Sequence, residues 1–292
     1  MTQREATPGS GGRSGAARIG FIGGGNMARS MLGGLLASGH PAERITVGEP
    51  DAAARARLEP LGALQLTDDN ERVVRDSDLV VLAVKPQVMH RVVAPLTAAL
   101  TARQANGAPA PVLMSIAAGI TITMLERWAG ALPVVRCMPN TPSLVGAGMA
   151  GLCANAAVDD AGRALATQVM EAVGKVVWVK DEALIDAVIA ASGSGPAYFF
   201  QLMEAMVEGA TGLGLEESTA RALVLQTALG AARMAIESDT PPAELRRQVT
   251  SPGGTTEAAL ATFAEGDLAG IVVRGMQAAA ARADALAREL DQ

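Results

Sequence analysis

The sequence predicts an α/β domain followed by an all-α domain, and three observations carry this prediction. Residues 18–180 alternate short β-branched runs with helical segments, which is the pattern of a parallel sheet covered by helices on both faces. From residue 181 onward this alternation stops, and long segments rich in Ala, Leu, Met and Glu follow, separated by Gly or Pro. The length of 292 residues suits two domains better than one.

The elements of both domains can be placed along the chain. Besides runs that begin at residues 19 and 45, strands are predicted at 64–67, 78–84, 111–116, 132–136, 148–153 and 175–179. Helices of the first domain are predicted up to residue 39 and at 51–58, 87–100 and 159–173. Helices of the second are predicted at 183–191, 196–212, 216–237, 242–249, 255–264 and 268–290. Because Ala and Met lie on several faces of these helices, we expect them to pack on one another or on a second subunit; a monomeric domain with an Ala-rich core is the alternative.

Composition argues against nucleic-acid and membrane partners. With a net charge of −6 and 2% aromatic residues, the chain has neither a basic surface nor many stacking side chains. No apolar run is long enough to span a bilayer, and residues 1–17 are predicted to be a disordered tail rather than a signal or anchor. Cys137 and Cys153 lack metal-ligand spacing, so we expect no metal site and two reduced thiols in a cytoplasmic protein, with a disulfide as the alternative.

The first apolar run ends in a glycine-rich turn within Gly-Phe-Ile-Gly-Gly-Gly-Asn-Met-Ala, residues 20–28. Gly23 allows a tight turn, Gly25 lets backbone N–H groups approach a pyrophosphate, and Ala28 allows helix and strand to pack closely. Glu49 ends the next run, where a Rossmann-type fold places the residue that meets the adenosine ribose. The motif predicts a Rossmann-type dinucleotide-binding domain; a glycine turn that binds nothing is the alternative.

Other candidate sites follow strands or precede helices. Lys85-Pro86-Gln and Cys137-Met-Pro-Asn-Thr-Pro follow two predicted strands, so they are expected at the edge where a nicotinamide lies, although each could be an ordinary turn. Residues 192–198 (Ser-Gly-Ser-Gly-Pro-Ala-Tyr) and 250–256 (Thr-Ser-Pro-Gly-Gly-Thr-Thr) precede helices. Their hydroxyl and N–H groups suit a small carboxylate, with N-capping as the alternative.

The chain offers few proton donors for reducing a carbonyl. Its two histidines are His40 and His90, and its three lysines all lie in the first domain. A cyclic imine needs no strong acid, because it can carry its proton as the iminium. Reduction of a C=N bond therefore fits this inventory, with catalysis resting on placement and on a hydroxyl that bonds the ring nitrogen. Thr256 is the candidate for that hydroxyl.

Five motifs in order give the chain a family resemblance. They are the glycine-rich motif, Ala-Val-Lys-Pro at 83–86, Arg-Cys-Met-Pro-Asn-Thr-Pro at 136–142, and the two motifs at 192–198 and 250–256. From residue 18 nearly to its end, the chain closely resembles the Δ1-pyrroline-5-carboxylate reductases. The resemblance implies reduction of 1-pyrroline-5-carboxylate to L-proline with NADPH or NADH. It also implies homodimers with interlocked helical domains, often assembled into decamers, and sites that span two subunits.

The resemblance further implies the residues of the site. Those expected to bind the substrate precede two helices; they are Gly195, Pro196, Ser251, Gly254, Thr255 and Thr256. Among them, Ser251 and the backbone of Gly254 and Thr255 would hold the substrate carboxylate. The hydroxyl of Thr256 would form a hydrogen bond with the ring nitrogen. Those expected to bind the cofactor follow strands; they are Gly23, Gly25, Asn26, Met27, Ala28, Glu49, Asn70, Ala83, Val84, Lys85, Pro86, Met138, Pro139 and Asn140. Asn70 would approach the adenosine ribose, and residues 85–86 and 138–140 would flank the nicotinamide.

Glu49 departs from the family pattern, because members that prefer NADPH tend to have Ser, Asn or Arg there. A carboxylate should repel the 2′-phosphate, while Arg29 and Arg55 could compensate. We expect use of both cofactors with a relative gain for NADH. Alternative functions are a related imine or β-hydroxyacid reductase, although residues 197–208 lack the lysine that the latter needs, and a non-catalytic nucleotide-sensing protein.

Overall fold

A computed structural model describes residues 15–291, and its amino-terminal half is built on one eight-stranded sheet. The strands are β1 (Ile19–Ile22), β2 (Ile45–Gly48), β3 (Gln65–Thr67), β4 (Leu79–Leu82), β5 (Val112–Ser115), β6 (Val134–Met138), β7 (Gly148–Ala154) and β8 (Gly174–Trp178). Their order across the sheet is β3-β2-β1-β4-β5-β6-β7-β8. Every predicted strand is present, and the predicted α/β class is confirmed.

The strand order reverses at β1, which has β2 on one side and β4 on the other. Strands β1 to β6 are parallel, so their carboxyl ends share one edge, here called the carboxyl edge. In open sheets of this kind, ligands bind in the crevice where the order reverses. The sheet thus places a crevice at the carboxyl ends of β1 and β4.

Strand β7 differs from the expected parallel arrangement, because it runs antiparallel to β6. Only residues 139–147 connect the two strands. A parallel return needs a crossover of roughly a dozen or more residues, so a connection this short turns the chain back beside itself. Strand β8 is again parallel to β7, because a helix separates them along the chain.

Seven helices cover this sheet. They are α1 (Asn26–Ala37), α2 (Ala52–Ala56), α3 (Asn70–Asp76), α4 (Pro86–Val93), α5 (Thr97–Ala105), α6 (Ile122–Ala129) and α7 (Asp160–Glu171). The helix predicted at 87–100 is divided, because a 3₁₀ turn at Ala94–Leu96 contains Pro95, whose ring cannot continue an α-helix. Helices α3 and α6 were not predicted, although Asp69 and Thr121 cap their first turns with side-chain oxygens.

Two cores lie on opposite faces of the sheet. One joins Phe21 to α1 and α7, and the other joins Val80 to α3, α4, α5 and α6. Cys137 belongs to the first core and Cys153 to the second. The alternative of a disulfide is therefore wrong, because the two thiols are on different faces of the sheet. Both cysteines are free and buried, and burial raises the pKa of each thiol.

The carboxyl-terminal half is helical, as predicted. It contains α8 (Leu184–Val188), a π-helical turn (Ile189–Gly193), α9 (Gly195–Gly212), α10 (Glu217–Glu237), α11 (Pro242–Gln248), α12 (Thr255–Glu265) and α13 (Leu268–Leu290). The predicted domain boundary at 180/181 falls between β8 and α8. Of the predicted tail, residues 1–14 lie outside the described residues, and 15–17 belong to no helix or strand.

Much apolar surface of the helical half is open in a single chain. Phe199 and Phe200 of α9 are 64% and 63% exposed, and Ile236 of α10 is 81% exposed. No helix among residues 15–291 is long and apolar enough to cross a membrane. In the same residues, no group of three or more His, Cys, Asp or Glu could hold a metal ion.

Candidate active site

The glycine-rich turn (residues 23–25) lies in the crevice between β1 and β4. Gly23 has a φ of +98°, and a Cβ there would lie 2.8 Å from the main-chain oxygen of Ala83. Its N–H donates to the oxygen of Gly48 at 2.8 Å, so the turn is pressed between the ends of β2 and β4. Only glycine fits this position, for reasons of both backbone angle and space.

Gly25, by contrast, faces open space, since no heavy atom lies within 4 Å of where its Cβ would be. It is the N-cap of α1, and Asn26, Met27 and Ala28 form the first turn of that helix. The first N–H groups of a helix have no partners within it, and a glycine has no side chain to cap them. The open space and these donors suit an anionic group such as a pyrophosphate.

Glu49 is held against the glycine-rich turn. Its Oε2 accepts from the N–H of Gly24 at 2.9 Å, and its Oε1 accepts from the N–H of Asp51 at 3.2 Å. Arg55 Nη1 donates to the main-chain oxygens of Glu49 at 2.5 Å and Pro50 at 2.9 Å. A fixed carboxylate thus lies at the carboxyl end of β2, with one guanidinium beside its main chain.

Asn70 packs on Gly48, the residue before Glu49. It begins α3, and its Oδ1 packs so closely over Gly48 that a Cβ on that glycine would clash with it. Within the described part of the chain, this buried oxygen has no hydrogen-bond partner. A buried acceptor without a donor is costly, but this oxygen is closed to solvent, so a ligand hydroxyl could reach it only after the side chain rotates. Contact between Asn70 and the adenosine ribose, which the resemblance implies, stays a prediction.

The loops after β4 and β6 also lie on the carboxyl edge. The N–H of Ala83 donates to the oxygen of Ile22 at 2.8 Å, and Val84 packs against the glycine-rich turn. Lys85 is the exposed N-cap of α4, and Pro86 is the first residue of that helix, where a missing N–H costs nothing. Beyond β6, Pro139 leads into Asn140, which is 8% exposed.

The turn at residues 192–195, here called the Ser192 turn, is brought to the same edge. Nδ2 of Asn140 donates to the oxygen of Ser192 at 3.0 Å. A Cβ on Gly193 would lie 2.9 Å from Cε of Met138, so the π-helical turn packs directly on the end of β6. Gly195 is buried at the start of α9 and Pro196 follows it. The structure therefore brings together the residues expected to bind the cofactor and two of those expected to bind the substrate.

The loop at residues 250–256, here called the Thr250 loop, is not gathered with them. Its bonds are local: the N–H of Gly254 donates to the oxygen of Ser251 at 3.0 Å, and the N–H of Gly253 donates to Glu257 Oε2 at 2.7 Å. No hydrogen bond or ion pair found between residues 15 and 291 joins this loop to the sheet domain. Ser251 and Thr255 are exposed, and Thr256 is half-buried. Thr256, the second residue of α12, thus has no hydrogen bond among residues 15–291 to the loops that follow β4 and β6.

Neither histidine belongs to this edge. His40 is buried beyond the carboxyl-terminal end of α1, and burial lowers the pKa of its imidazole. His90 is exposed on α4, with its ring centroid 5.2 Å from that of Trp128. The expectation that no histidine acts as proton donor stays a prediction, and the geometry agrees with it.

Sequence reasoning missed the partners of Arg136. This arginine is 5% exposed within β6, and its Nη1 donates to Glu182 Oε1 at 3.0 Å, with Asp186 Oδ1 at 3.8 Å from Nη2. Glu182 Oε1 also accepts from the N–H of Ile122, the first residue of α6. An arginine inside an apolar strand signals a buried carboxylate partner. These bonds fasten α8, and so the helical half, to the sheet.

Comparison with known proteins identifies the family. The family model for pyrroline-5-carboxylate reductase dimerisation matches residues 182–286, and that for NADP oxidoreductase, coenzyme F420-dependent, matches residues 18–106. The pyrroline-5-carboxylate reductase of Pseudomonas aeruginosa is 50% identical over 94% of this chain and 98% of its own. The chain belongs to the pyrroline-5-carboxylate reductase family. The resemblance drawn from five motifs is therefore confirmed.

Solved structures of family members agree. A pyrroline-5-carboxylate reductase from Coxiella burnetii has a TM-score of 0.87 at 43% identity, covering 93% of this chain and 98% of that one. The Plasmodium falciparum pyrroline carboxylate reductase with NADP bound has a TM-score of 0.78 at 27% identity, with the same coverage. The predicted combination of a Rossmann-type domain and an all-α domain is thereby confirmed.

Proposed function

We propose that this protein reduces 1-pyrroline-5-carboxylate to L-proline with NADPH or NADH. The observation that carries the proposal is the meeting of three features on the carboxyl edge: the glycine-rich turn, the loop at residues 83–86, and the Ser192 turn held by Asn140. The first two suit a dinucleotide, and the third adds a helix start beside the expected nicotinamide position. Membership of the family supports 1-pyrroline-5-carboxylate as the substrate that binds at this edge.

The chain's own residues would bind and orient the reactants. The start of α1 after Gly25 would hold the pyrophosphate, and Asn70, at the start of α3, would approach the adenosine ribose. The chemistry supplied by the bound cofactor is a hydride for the C=N carbon. The ring nitrogen of the iminium keeps its proton and becomes the amine, so no proton donor is needed in that step. Thr256 would orient this nitrogen, and Ser251 with the nearby N–H groups would hold the carboxylate.

We further propose that a second copy of the chain completes each site. Within one chain the Thr250 loop has only local bonds, and apolar side chains of α9 and α10 are open to solvent. Two copies with interlocked helical domains would cover these faces and bring the partner's loop to the carboxyl edge. A decamer is the larger assembly to test. We also propose a cytoplasmic location, in line with two buried cysteines that cannot pair with each other.

Turnover of the proposed substrate is the first test. Purified protein is mixed with 1-pyrroline-5-carboxylate and NADPH or NADH, and cofactor oxidation and L-proline formation are followed together. Thr256→Val should lower kcat/KM about 10- to 100-fold, because a hydrogen bond to a charged nitrogen is worth ~1.5–3 kcal/mol. Thr256→Ser keeps the hydroxyl and should retain most activity. Cofactor binding without turnover of any cyclic imine would favour a nucleotide-sensing protein instead.

Mixing two impaired variants tests the shared site. Gly25→Asp places a carboxylate where the pyrophosphate would bind, and it has room to fold because the space around Gly25 is open. Gly25→Asp should block cofactor binding at both sites of its homodimer, and Thr256→Val should leave both sites of its homodimer with at most about a tenth of wild-type activity. If each site combines the turn of one chain with the loop of its partner, a mixed dimer has one intact site, and re-assembled mixtures recover roughly a quarter of wild-type activity. No recovery from mixtures shown to contain mixed dimers would mean that the site lies within one chain.

A further inference from the structure

Asn140 lies between the two halves of the chain, and its side chain is hydrogen-bonded to both of the segments that it separates. Its side chain is 8% exposed, and both ends of its amide are engaged by distant main-chain groups. Oδ1 accepts from the N–H of Met149 at 2.9 Å, and Nδ2 donates to the oxygen of Ser192 at 3.0 Å. One amide thereby links the β6–β7 connection to the turn that begins α9.

The bond to Met149 replaces a missing rung of the sheet. In the antiparallel register, Met138 lies opposite Gly151, and continuing that register places Asn140 opposite Met149. The ladder stops at Met138, and the main-chain oxygen of Asn140, which would accept from Met149 in a continued sheet, accepts instead from the N–H of Ser143 at 3.2 Å. The side-chain oxygen of Asn140 therefore accepts the hydrogen bond from the N–H of Met149 that a main-chain oxygen would accept in a longer β6.

The bond to Ser192 replaces a missing rung of a helix. In an α-helix the oxygen of Ser192 would accept from the N–H of residue 196, but residue 196 is proline. In a π-helix it would accept from Ala197, whose N–H instead donates to the oxygen of Ser194 at 3.0 Å. The carbonyl of Ser192 is therefore without its usual helical donor, and Asn140 supplies one.

We propose that Asn140 is a positioning residue for substrate binding: its amide fixes the start of α9, including Gly195 and Pro196, relative to the carboxyl edge. The argument rests on the proposed function for the identity of the substrate. It also revises the expected role of Asn140, which the family resemblance assigns to nicotinamide contact. A positioning residue acts through the Ser192 turn and needs no contact with the cofactor.

Asn140→Asp isolates the helix bond. The carboxylate can still accept from the N–H of Met149, but it cannot donate to the oxygen of Ser192 and places a second oxygen beside it. An unpaired buried carbonyl should let the start of α9 move, and we expect an about tenfold rise in KM for the imine. The dissociation constant of NADPH, measured by nicotinamide fluorescence, should change less than about twofold.

Asn155→Asp is the matched control in the same pair of strands. Asn155 Oδ1 accepts from the N–H of Val134, and its Nδ2 donates to the oxygen of Leu132 and to Glu126, at the end of the β6–β7 pair farther from the carboxyl edge. The same substitution there should lower the melting temperature without changing KM. Hydrogen–deuterium exchange of residues 189–197 gives a readout independent of turnover. Exchange should become faster in Asn140→Asp and not in Asn155→Asp.

The outcomes separate the possible roles. A higher imine KM with unchanged NADPH binding and faster exchange supports positioning; weaker NADPH binding with unchanged imine KM makes Asn140 a cofactor contact and overturns the proposal. A lower melting temperature alone, as in the control, also overturns it. If wild-type protein fails to turn over the imine, the proposed function fails, and the exchange result still decides whether Asn140 fixes the turn. Asn140→Ser, which leaves room for a water, is measured in the same way if the Asp variant does not fold.

Discussion

Glu49 should set the balance between NADPH and NADH, and its charge can be removed while its hydrogen bond from the N–H of Gly24 is kept. The carboxylate is fixed by the N–H groups of Gly24 and Asp51 at the carboxyl end of β2. Glu49→Gln removes the charge but keeps an oxygen that can accept from the N–H of Gly24. Glu49→Ser removes the charge, and its side chain is too short to reach that N–H. The pair of variants therefore separates electrostatic repulsion from support of the glycine-rich turn.

The size of the effect follows from Coulomb's law. Two unit charges 4 Å apart interact by about 1 kcal/mol in bulk water and about 4 kcal/mol at an effective dielectric constant of 20. Glu49 is half-buried in an open crevice, and Arg55 lies beside it, so we take ~1–2 kcal/mol for repulsion of the 2′-phosphate. Removing the charge should raise the ratio of kcat/KM for NADPH to that for NADH about 5- to 30-fold.

The assay measures kcat/KM with each cofactor at a saturating concentration of the imine, at low and at high salt. Salt screens exposed charges, so the effect of Glu49→Gln should shrink as ionic strength rises. Glu71→Gln is the control, because it removes one exposed carboxylate that pairs with Arg75 on α3. An unchanged cofactor ratio in Glu49→Gln would refute the assignment, and an equal change in the control would show a general effect of net charge.

Two further predictions concern stability. Glu182→Ala should lower the free energy of unfolding by about 3 kcal/mol, because Arg136 would remain buried with Asp186 as its nearest carboxylate. Glu182→Gln should lower the free energy of unfolding by less. Urea unfolding of both variants at one protein concentration measures these changes. Burial lowers the pKa of His40 from 6.5, so the unfolded chain binds its proton at a higher pH than the folded one. The stability from neutral His40 is present above pH 6.5 and is lost as pH falls through the lowered folded pKa. His40→Asn should make urea midpoints fall less steeply between about pH 7 and 5, and an equally steep fall would contradict this cause.

Local signals explain why most of the fold could be predicted. The limits of α9 to α13 were placed within one residue because Gly and Pro mark them, as at Pro196 and Gly266. The two missed helices, α3 and α6, have seven and eight residues, and about two turns are too short to separate a helical period from a connecting segment. The direction of β7 depends on the length of its connection to β6, which is a property of the chain path rather than of any residue type.

The site was predictable in position and less so in role. The sequence pattern placed Glu49 and Asn140 just after strands, where the structure has them, whereas Asn70, at the start of α3, was implied only by the family resemblance. The amide of Asn140 joins Met149 to Ser192, and this link forms only because three segments of the chain meet in space. The sequence indicated it only indirectly, through the missing N–H of Pro196. The ion pair of Arg136 with Glu182 likewise joins residues far apart along the chain.

The two parts of the candidate site differ in how they are assembled. The residues expected to bind the cofactor come together within one chain, because adjacent strand ends bring them close through main-chain hydrogen bonds and packing. The Thr250 loop is shaped by its own bonds and by Glu257, but no bond within residues 15–291 fixes it to the sheet domain. On the proposed arrangement, in which a partner supplies the Thr250 loop, dissociation of subunits should abolish turnover while leaving most cofactor affinity. Exposed apolar faces on α9 and α10 favour association, and the same association would bring the loop to the imine.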